Sequence, residues 1–595
     1  MNQPINAKKF APGRMVPLVL ALLALGHSLF TGLEIDEQYA LSLSYRLLRG
    51  DTLFHTMWEP HQLSSLPLVP VLALFLAVTG GTTGILLFVR AVTLLCKAGL
   101  SLAFYRLLKP CLGESASFWG ALVLLVYTPK WFLGPDYISQ QFHFTAAAFL
   151  LLWAYYAPGP RQFRRPWLAA LAAVCACFSY LAFPQSIVAA APLFAGLWLL
   201  GKRAGEPAVL RAPRGAVVFL GSCILCGLAF VCYVLREMTV PELIARAGMI
   251  LNDPQYNFTA AERLARLAAQ AADVAKTLAK PALLAAAGCL AASAHEKRNR
   301  AGLFLPLFAG SAVLFCCWYA LRERSMDMRQ FLPVLVLLGG WVFWRDRRQA
   351  AHREVRALLF WLGWLPGLTA YLMILRSTLL GLAPTFMYLT WPALCGLLAL
   401  APGQPGPAAG AGRLPERLTG ARLAQGLLAL VFGFVVLCRC CLVMTTGWKP
   451  AALWDTGLKR IGNGPAAGIA ADVREADRQA AFAEALAPYE GAQVLQAIGE
   501  AEGLVWLMDG GTLTVAQASV ISGTDSDPRF IAYYEEFPEK IPDVVLYDRN
   551  ENRDLADFHR WIEENLPVCD RYEVTVGTAA LEVLVINRQP GKSGA

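Results

Sequence analysis

From residue 34 to residue 61 the chain reads E-I-D-E-Q-Y-A-L-S-L-S-Y-R-L-L-R-G-D-T-L-F-H-T-M-W-E-P-H. Glu34, Asp36, Glu37, Asp51 and Glu59 lie here with His55 and His61, and nowhere else in the hydrophobic part of the chain are acids so dense. Carboxylates and imidazoles are the side chains that most often take and return protons in catalysis. An apolar run, Met15 to Leu33, delivers the chain to this stretch, and a second, Leu63 to Thr79, follows it. From Glu37 to Arg49 the residues Tyr39, Leu43, Leu47 and Leu41, Tyr45, Leu48 recur at helical spacing, and Gly50 is a stop signal. The pattern predicts an amphipathic helix on the membrane surface with Asp36 and Glu37 at its N-terminus. A plainer reading makes Asp36 the cap of that helix and Glu37 a complement to its dipole. A cap alone, however, calls for no such concentration of acids.

The elements that must position these residues are membrane spans. The chain has 595 residues, 56% hydrophobic and 16% charged, against about 25% charged in soluble domains. Residues 1–446 carry 39 Lys+Arg against 19 Asp+Glu, whereas residues 447–595 carry 13 against 24. The basic excess marks cytoplasmic loops, and the acidic tail is expected to be a separate soluble domain. Nucleic-acid binding is therefore a poor reading of the net charge of +9. Most of the 15 cysteines fall in apolar segments, so the C-x-x-C at Cys223 reads as packing. Taking Leu63–Thr79 as a second surface helix puts every basic loop on one side. The remaining apolar runs then give 13 spans, the last being Leu423–Met444, with the N-terminus inside and the tail outside. The expected layout is a transmembrane domain, 1–446, with external segments 34–83 and 236–280, followed by an acidic α/β domain, 447–595. In the second segment Thr259-Ala260-Ala261-Glu262 fits a capping box.

The acid-rich stretch resembles the first external loop of the GT-C glycosyltransferases, membrane enzymes that take a sugar from a polyprenyl-phosphate carrier. The nearest likeness is to the family 39-like branch of protein O-mannosyltransferases and lipid A aminoarabinose transferases. Asp36-Glu37 directly after the first span, Tyr39, Gly50, Asp51, then Pro67 and an Arg90 that opens the next helix carry it. The likeness covers the early part of the chain, and beyond that it is a matter of hydropathy. It implies a GT-C-like helical fold in the bacterial plasma membrane and a lipid-phosphate sugar as donor. It also implies Asp36 as general base, supported by Glu37, with an acid in the second external loop facing them. Asp136 is the carboxylate available there, beside Tyr137 and near Lys130 and His143. The acceptor, whether lipid, glycan or protein, and any divalent metal stay open.

A departing phosphate needs cations. Arg322, Arg324, Arg329 and Arg376 sit at the external ends of spans, and the stretch R-E-R-S-M-D-M-R runs against the positive-inside bias. Arg329 is the leading candidate for the donor phosphate. Arg90, a charge within a span and seven residues before Lys97, is a second candidate. In the tail, Arg474–Leu486 and Leu555–Asn565 read as helices. Gln493–Ile498, Val544–Tyr547, Tyr572–Val576 and Leu581–Ile586 read as strands. Gly462-Asn463-Gly464-Pro465 is a turn signal, and Tyr533-Tyr534-Glu535-Glu536-Phe537 offers rings that could contact a sugar. A transporter or flippase would show internal repeats, which this chain lacks, and a non-catalytic scaffold would leave the acidic loop without a task. The topology is checked with fused reporters. Fusions after Arg165 or Arg348 should report cytoplasm and one after Lys449 the outside, and an external signal after Arg165 would mean that Leu63–Thr79 crosses the membrane.

Overall fold

Apolar runs of the first 441 residues fold into helices, broken at Gly, Pro and polar residues. A computed structural model describes residues 12–157, 165–209, 211–251, 258–295, 304–323, 329–345, 353–377, 382–401, 420–445, 450–489, 492–497, 526–547, 556–576 and 579–586. α1 (Pro12–Phe30) leads to α2 (Ile35–Leu48) and α3 (Val69–Thr79) in the first loop. Next come α4 (Ile85–Leu112), α5 (Glu114–Val126), α6 (Tyr137–Tyr156), α7 (Pro166–Ala182), α8 (Ala190–Arg203) and α9 (Arg214–Val234). After α10 (Val240–Leu251) follow α11 (Ala260–His295), α12 (Phe304–Glu323) and α13 (Leu332–Arg345). The helical part ends with α14 (Arg353–Ser377), α15 (Leu382–Leu398) and α16 (Gly420–Cys441). The chain is thus a polytopic helical membrane protein with a C-terminal α/β domain.

Among the described residues, eight helical stretches are long and apolar enough to cross a membrane, and α5, α7, α13 and α15 are shorter apolar helices. With α6, they correspond to the 13 runs read as spans. At 11 residues, α3 reaches only about 16 Å, roughly half the hydrocarbon thickness, in keeping with a surface position. α11 departs from expectation. A boundary was expected at Lys280, but one helix of 36 residues runs through Pro281, about 54 Å long and so longer than the bilayer core. Pro281 removes one donor without ending the helix, because Val274 and Leu278 before it pack on the main core. The capping box at its start is present: Thr259 N donates to Glu262 Oε2 at 2.9 Å, and Glu262 N to Thr259 Oγ1 at 3.3 Å. Basic loops 161–164, 296–300 and 346–352, the linker 402–419, Asn257 and Arg324 lie outside the described residues.

The predicted surface helix is corrected in two respects. It starts at Ile35, and its cap is Glu34, not Asp36: Glu34 Oε2 accepts Asp36 N at 2.7 Å and Glu37 N at 3.4 Å. It is also enclosed, with residues 37–44 all buried. The rest of the first loop, α3 and the C-terminal domain together enclose it. The domain's sheet has strands β1 (Val494–Ala497), β2 (Val544–Tyr547), β3 (Val568–Val576) and β4 (Ala579–Ile586) in the order β1-β2-β4-β3. β1 and β2 are parallel, and β4 is antiparallel to both its neighbours. Side chains alternate between its faces. Val494, Val544, Leu546, Leu581 and Val583 join a core with Leu33, Tyr39, Leu41 and Leu43 of the first loop. Leu495, Val545, Tyr547, Leu584 and Ile586 pack instead with Tyr533, Phe537, Phe558 and Ile562, from helices Ser526–Glu536 and Ala556–Asn565 and the residue after the first. The aromatic run at 533–537, expected to offer rings to a sugar, is thus core: Tyr533 and Tyr534 are 1% exposed.

Trp58 of the first loop belongs to that second core. Its ring meets Tyr533 edge-on at 5.1 Å, and Arg246 of α10 lies over it at 4.2 Å. Its Nε1 donates to His55 O at 2.8 Å. Arg46 ties the same loop together through Asp51 at 2.6 Å, Glu59 and Thr56 O at 2.9 Å. The tail grips it from outside, through Lys540 to Asp51 at 2.5 Å and Tyr533 OH to Thr56 O at 2.9 Å. Truncating a buried Trp typically costs about 3–5 kcal/mol. Trp58→Ala should therefore loosen the C-terminal domain, read as faster limited proteolysis within 450–586 and a lower melting temperature. Unchanged cleavage would show that Trp58 does not hold the domain.

Candidate active site

Asp36, on the first turn of α2, forms an ion pair with Lys130 of the α5–α6 loop. Lys130 Nζ also lies 3.7 Å from Asp136 Oδ2 and 4.7 Å from the centre of the Tyr137 ring. The two acids expected to face each other therefore meet on one ammonium. Asp136, 0% exposed, caps α6: Oδ1 accepts Ser139 N at 2.9 Å and Oδ2 accepts Ile138 N at 3.2 Å. Asp36 keeps 13% of its side chain accessible, so of the two it is the one that a second molecule can reach. Lys130 was noted in the sequence only as a neighbour. Burial, then the charge of Arg329, pull its pKa down while Asp136 and Glu34 oppose them, so Arg329 acts electrostatically on the same spot.

Glu37 and Arg90 form a buried pair. Arg90 Nε donates to Glu37 Oε2 at 2.9 Å, and Nη2 bonds Glu37 Oε1. Its other N–H groups go to Gly32 O at 2.8 Å and to Leu29 O and Thr31 O, both at 3.4 Å. The guanidinium expected at a phosphate is thus enclosed by the protein's own acceptors and is 1% exposed. What it does is fix the turn that carries Asp36. Gly134 of the opposite loop lies directly against Glu37, where a Cβ would overlap the carboxylate.

Two further buried cations hold the loop that carries Lys130. Arg439, near the end of α16, donates through Nε to Val126 O at 2.6 Å and through Nη2 to Thr128 Oγ1 at 2.6 Å. Its Nη1 reaches Ser28 Oγ at 2.8 Å and Trp131 O at 3.2 Å. Lys97 Nζ donates to Tyr127 O at 2.6 Å and lies 3.3 Å from His143 Nε2. Trp131 has φ +68°, a conformation costing about 1–3 kcal/mol that persists only where its surroundings fix it. Sequence reasoning passed over Arg439, although a lone Arg in an apolar run is by default a functional or positioning residue. Glu34 was also missed as a cap, since Glu is not among the usual N-cap residues.

His61, at φ +60°, stacks on Tyr137 with ring centres 3.7 Å apart, and burial pushes its pKa down to about 4. Beside this pair an apolar cavity opens between α6, α7, α14 and α15, lined by Pro129, Ile138, Gln141, Phe149, Tyr388 and Trp391 among others. Two of its lining residues, Pro129 and Ile138, lie beside Lys130 and Asp136 in the chain. Among the described residues no group of three His, Cys, Asp or Glu side chains is arranged to hold a metal ion.

No protein-family model matches the chain, and no curated protein sequence matches it. Among solved structures, ArnT from Cupriavidus metallidurans in the apo state is similar over 96% of this chain and 97% of its own, at 12% identity and a TM-score of 0.38. The same protein bound to undecaprenyl phosphate covers 97% and 98%, at 13% identity and a TM-score of 0.35. The Archaeoglobus fulgidus oligosaccharyltransferase in complex with Zn and sulfate covers 90% of this chain and 68% of its own, at 12% and 0.31. At such overlap the chemistry of the site rests on this chain's own geometry.

Burial pushes Glu34 up to about 8, against the opposing charge of Lys130 and with Asp136 and Glu37 adding to the rise. The folded protein therefore holds this proton between about pH 4.5 and 8 while the unfolded chain releases it, so stability falls as pH rises through that window. Glu34→Gln keeps a carbonyl oxygen for the α2 amides and removes the titration. Its melting temperature should decline less steeply over the window than that of the parent, and parallel profiles would take Glu34 out of the account.

Proposed function

We propose that the chain is a membrane glycosyltransferase that moves a sugar from a polyprenyl-phosphate carrier to a hydroxyl acceptor on the extracytoplasmic side. The observation that carries this reading is the meeting of Asp36 and Asp136 on Lys130, with Arg329 in electrostatic reach, beside an apolar cavity. A lipid-linked donor needs an anion site beside an apolar slot, and this arrangement supplies both.

Asp36 is the general base. It takes the proton from the acceptor hydroxyl as that oxygen attacks the anomeric carbon. The bond from this carbon to the carrier's phosphate oxygen breaks, and the electron pair leaves with the lipid phosphate. Lys130 and Arg329 stabilise the charge that accumulates there. A phosphate arriving at Lys130 competes with Asp36 for the ammonium, which turns the carboxylate toward the acceptor. Asp136 holds Lys130 from the far side, while Arg90 and Glu37 fix the backbone beneath Asp36. The cavity between α6 and α15 takes the first part of the prenyl chain. The resemblance of the first loop to the GT-C enzymes agrees with this assignment.

Since Glu34 is the cap of α2, Asp36→Asn should leave folding intact and remove proton transfer. General-base catalysis contributes about 10²–10⁴-fold, so transfer from a polyprenyl-phosphate sugar should fall by roughly that factor. Lys130→Ala should weaken donor binding, with Arg329→Ala acting in the same direction and Arg329→Lys less so. Glu37→Gln belongs to a different class, because it strands the buried Arg90 charge. Losing one partner of such a pair costs about 3–5 kcal/mol, seen as reduced protein level. A well-folded Asp36→Asn protein with full transfer activity would end the assignment.

A further inference from the structure

The bundle has a second cavity, at the end remote from Asp36. α13 begins three residues after Arg329, which acts on Lys130, and its 14 residues carry the chain about 21 Å away from the site. The helical stretch Pro184–Arg203 that contains α8 runs the same way, since Phe183, just before that stretch, lies against His61, and Arg203 is the last residue of α8. At this far end Arg203 of α8, Phe343 and Trp344 of α13, and Arg353, Arg356 and Phe360 of α14 surround a cavity of about 430 Å³. Among the described residues, none that lines it is acidic.

The local backbone keeps the space open. α14 passes through a π-helical turn at Phe360–Trp364, a rare geometry that recurs at functional sites. Gly340 faces that turn, and a Cβ there would come within 3.1 Å of the Trp364 ring. Arg356 is anchored by its Nε on Ala399 O at 3.4 Å, whereas Arg203 and Arg353 are exposed. Trp344 lines the cavity and is 64% exposed, so the cavity is continuous with the outer, lipid-facing surface of the bundle.

We propose that this cavity binds the phosphate headgroup of an anionic membrane phospholipid. Guanidinium forks match phosphate oxygens with paired hydrogen bonds, and basic pockets between helices at the membrane interface take anionic headgroups. Indole rings at this depth suit the boundary between headgroup and acyl chain. Arginines that only oriented the spans would have no need to converge from two helices on one void. The site is independent of the glycosyl-transfer reading, because its groups lie at the opposite end of the bundle.

The test uses the full-length protein in phosphatidylcholine nanodiscs, with and without phosphatidylglycerol, read by thermal melting and by lipid retention in native mass spectrometry. Phosphatidylglycerol should be retained by the parent and raise its melting temperature. An Arg203→Gln/Arg353→Gln double variant should bind it on the order of tenfold or more weakly, since each lost charge-assisted bond is worth over a factor of ten. Arg203→Lys/Arg353→Lys should keep part of the binding. Both residues are exposed, so equal melting in phosphatidylcholine alone checks that the variants are folded. Equal phosphatidylglycerol retention in the Gln variant and the parent would overturn the site. Stabilisation by millimolar inorganic phosphate equal to that by the lipid would overturn the lipid as its source.

Discussion

The site depends on one kind of interaction: a buried cation from a span that donates to the backbone carbonyls of a loop. Arg90 holds the turn at residues 29–32 and Glu37, Arg439 holds Val126 and Trp131, and Lys97 holds Tyr127. Loop carbonyls at a helix end have no intrahelical partner, and leaving them dry and unpaired would be costly. Each cation in turn is tolerated inside the bundle only because those oxygens surround it. The two requirements satisfy each other, and the result is that two loops from different parts of the chain are fixed face to face.

Such pairs are weak evidence for stability, since desolvation offsets most of the Coulomb gain. Their value is in geometry. A general base has to lie within hydrogen-bond reach of the proton it takes, and a small misplacement of reacting groups is expensive. Asp36 sits one residue from the Arg90–Glu37 pair, and Lys130 lies between Thr128 and Trp131, both gripped by Arg439. The residues at the centre thus inherit their positions from neighbours that are fully enclosed. Trp131 and His61 are both held at positive φ, so part of the packing energy is stored as local strain beside the site.

The C-terminal domain extends this scheme from above. Its sheet buries one face on the first loop and α2, and Trp58 of that loop enters the core on the other face. The turn at 462–468 reaches down as well: Gly464 O accepts Gly84 N at 3.0 Å and Pro465 O accepts Leu86 N at 3.1 Å, which satisfies amides at the start of α4. Gly32 N donates to Ala470 O at 2.9 Å, beside the carbonyls that Arg90 holds. An acidic domain that looked autonomous by composition is therefore packed on the loop that carries Asp36.

Hydropathy and periodicity are local properties, and what they encode was legible in the sequence. The membrane helices, the short helix α3, the capping box before α11 and the four strands of the tail follow from spacing alone. Even the acids of the candidate site stood out by density. What the sequence did not reveal was which charge meets which. On the plainer reading Asp36 looked like the cap of α2 until Glu34 was seen to hold the α2 amides. Arg90 looked like a phosphate ligand until its partners were seen to be Glu37 and three carbonyls. Arg439 meets Val126 across 313 residues of chain. Side-chain pairing over such separations leaves no trace in local pattern, because an Arg in an apolar run reads the same whether it faces a ligand, a carboxylate or a carbonyl. Only the packing of the helices, which brings α4, α16 and the two loops to one place, decides among them.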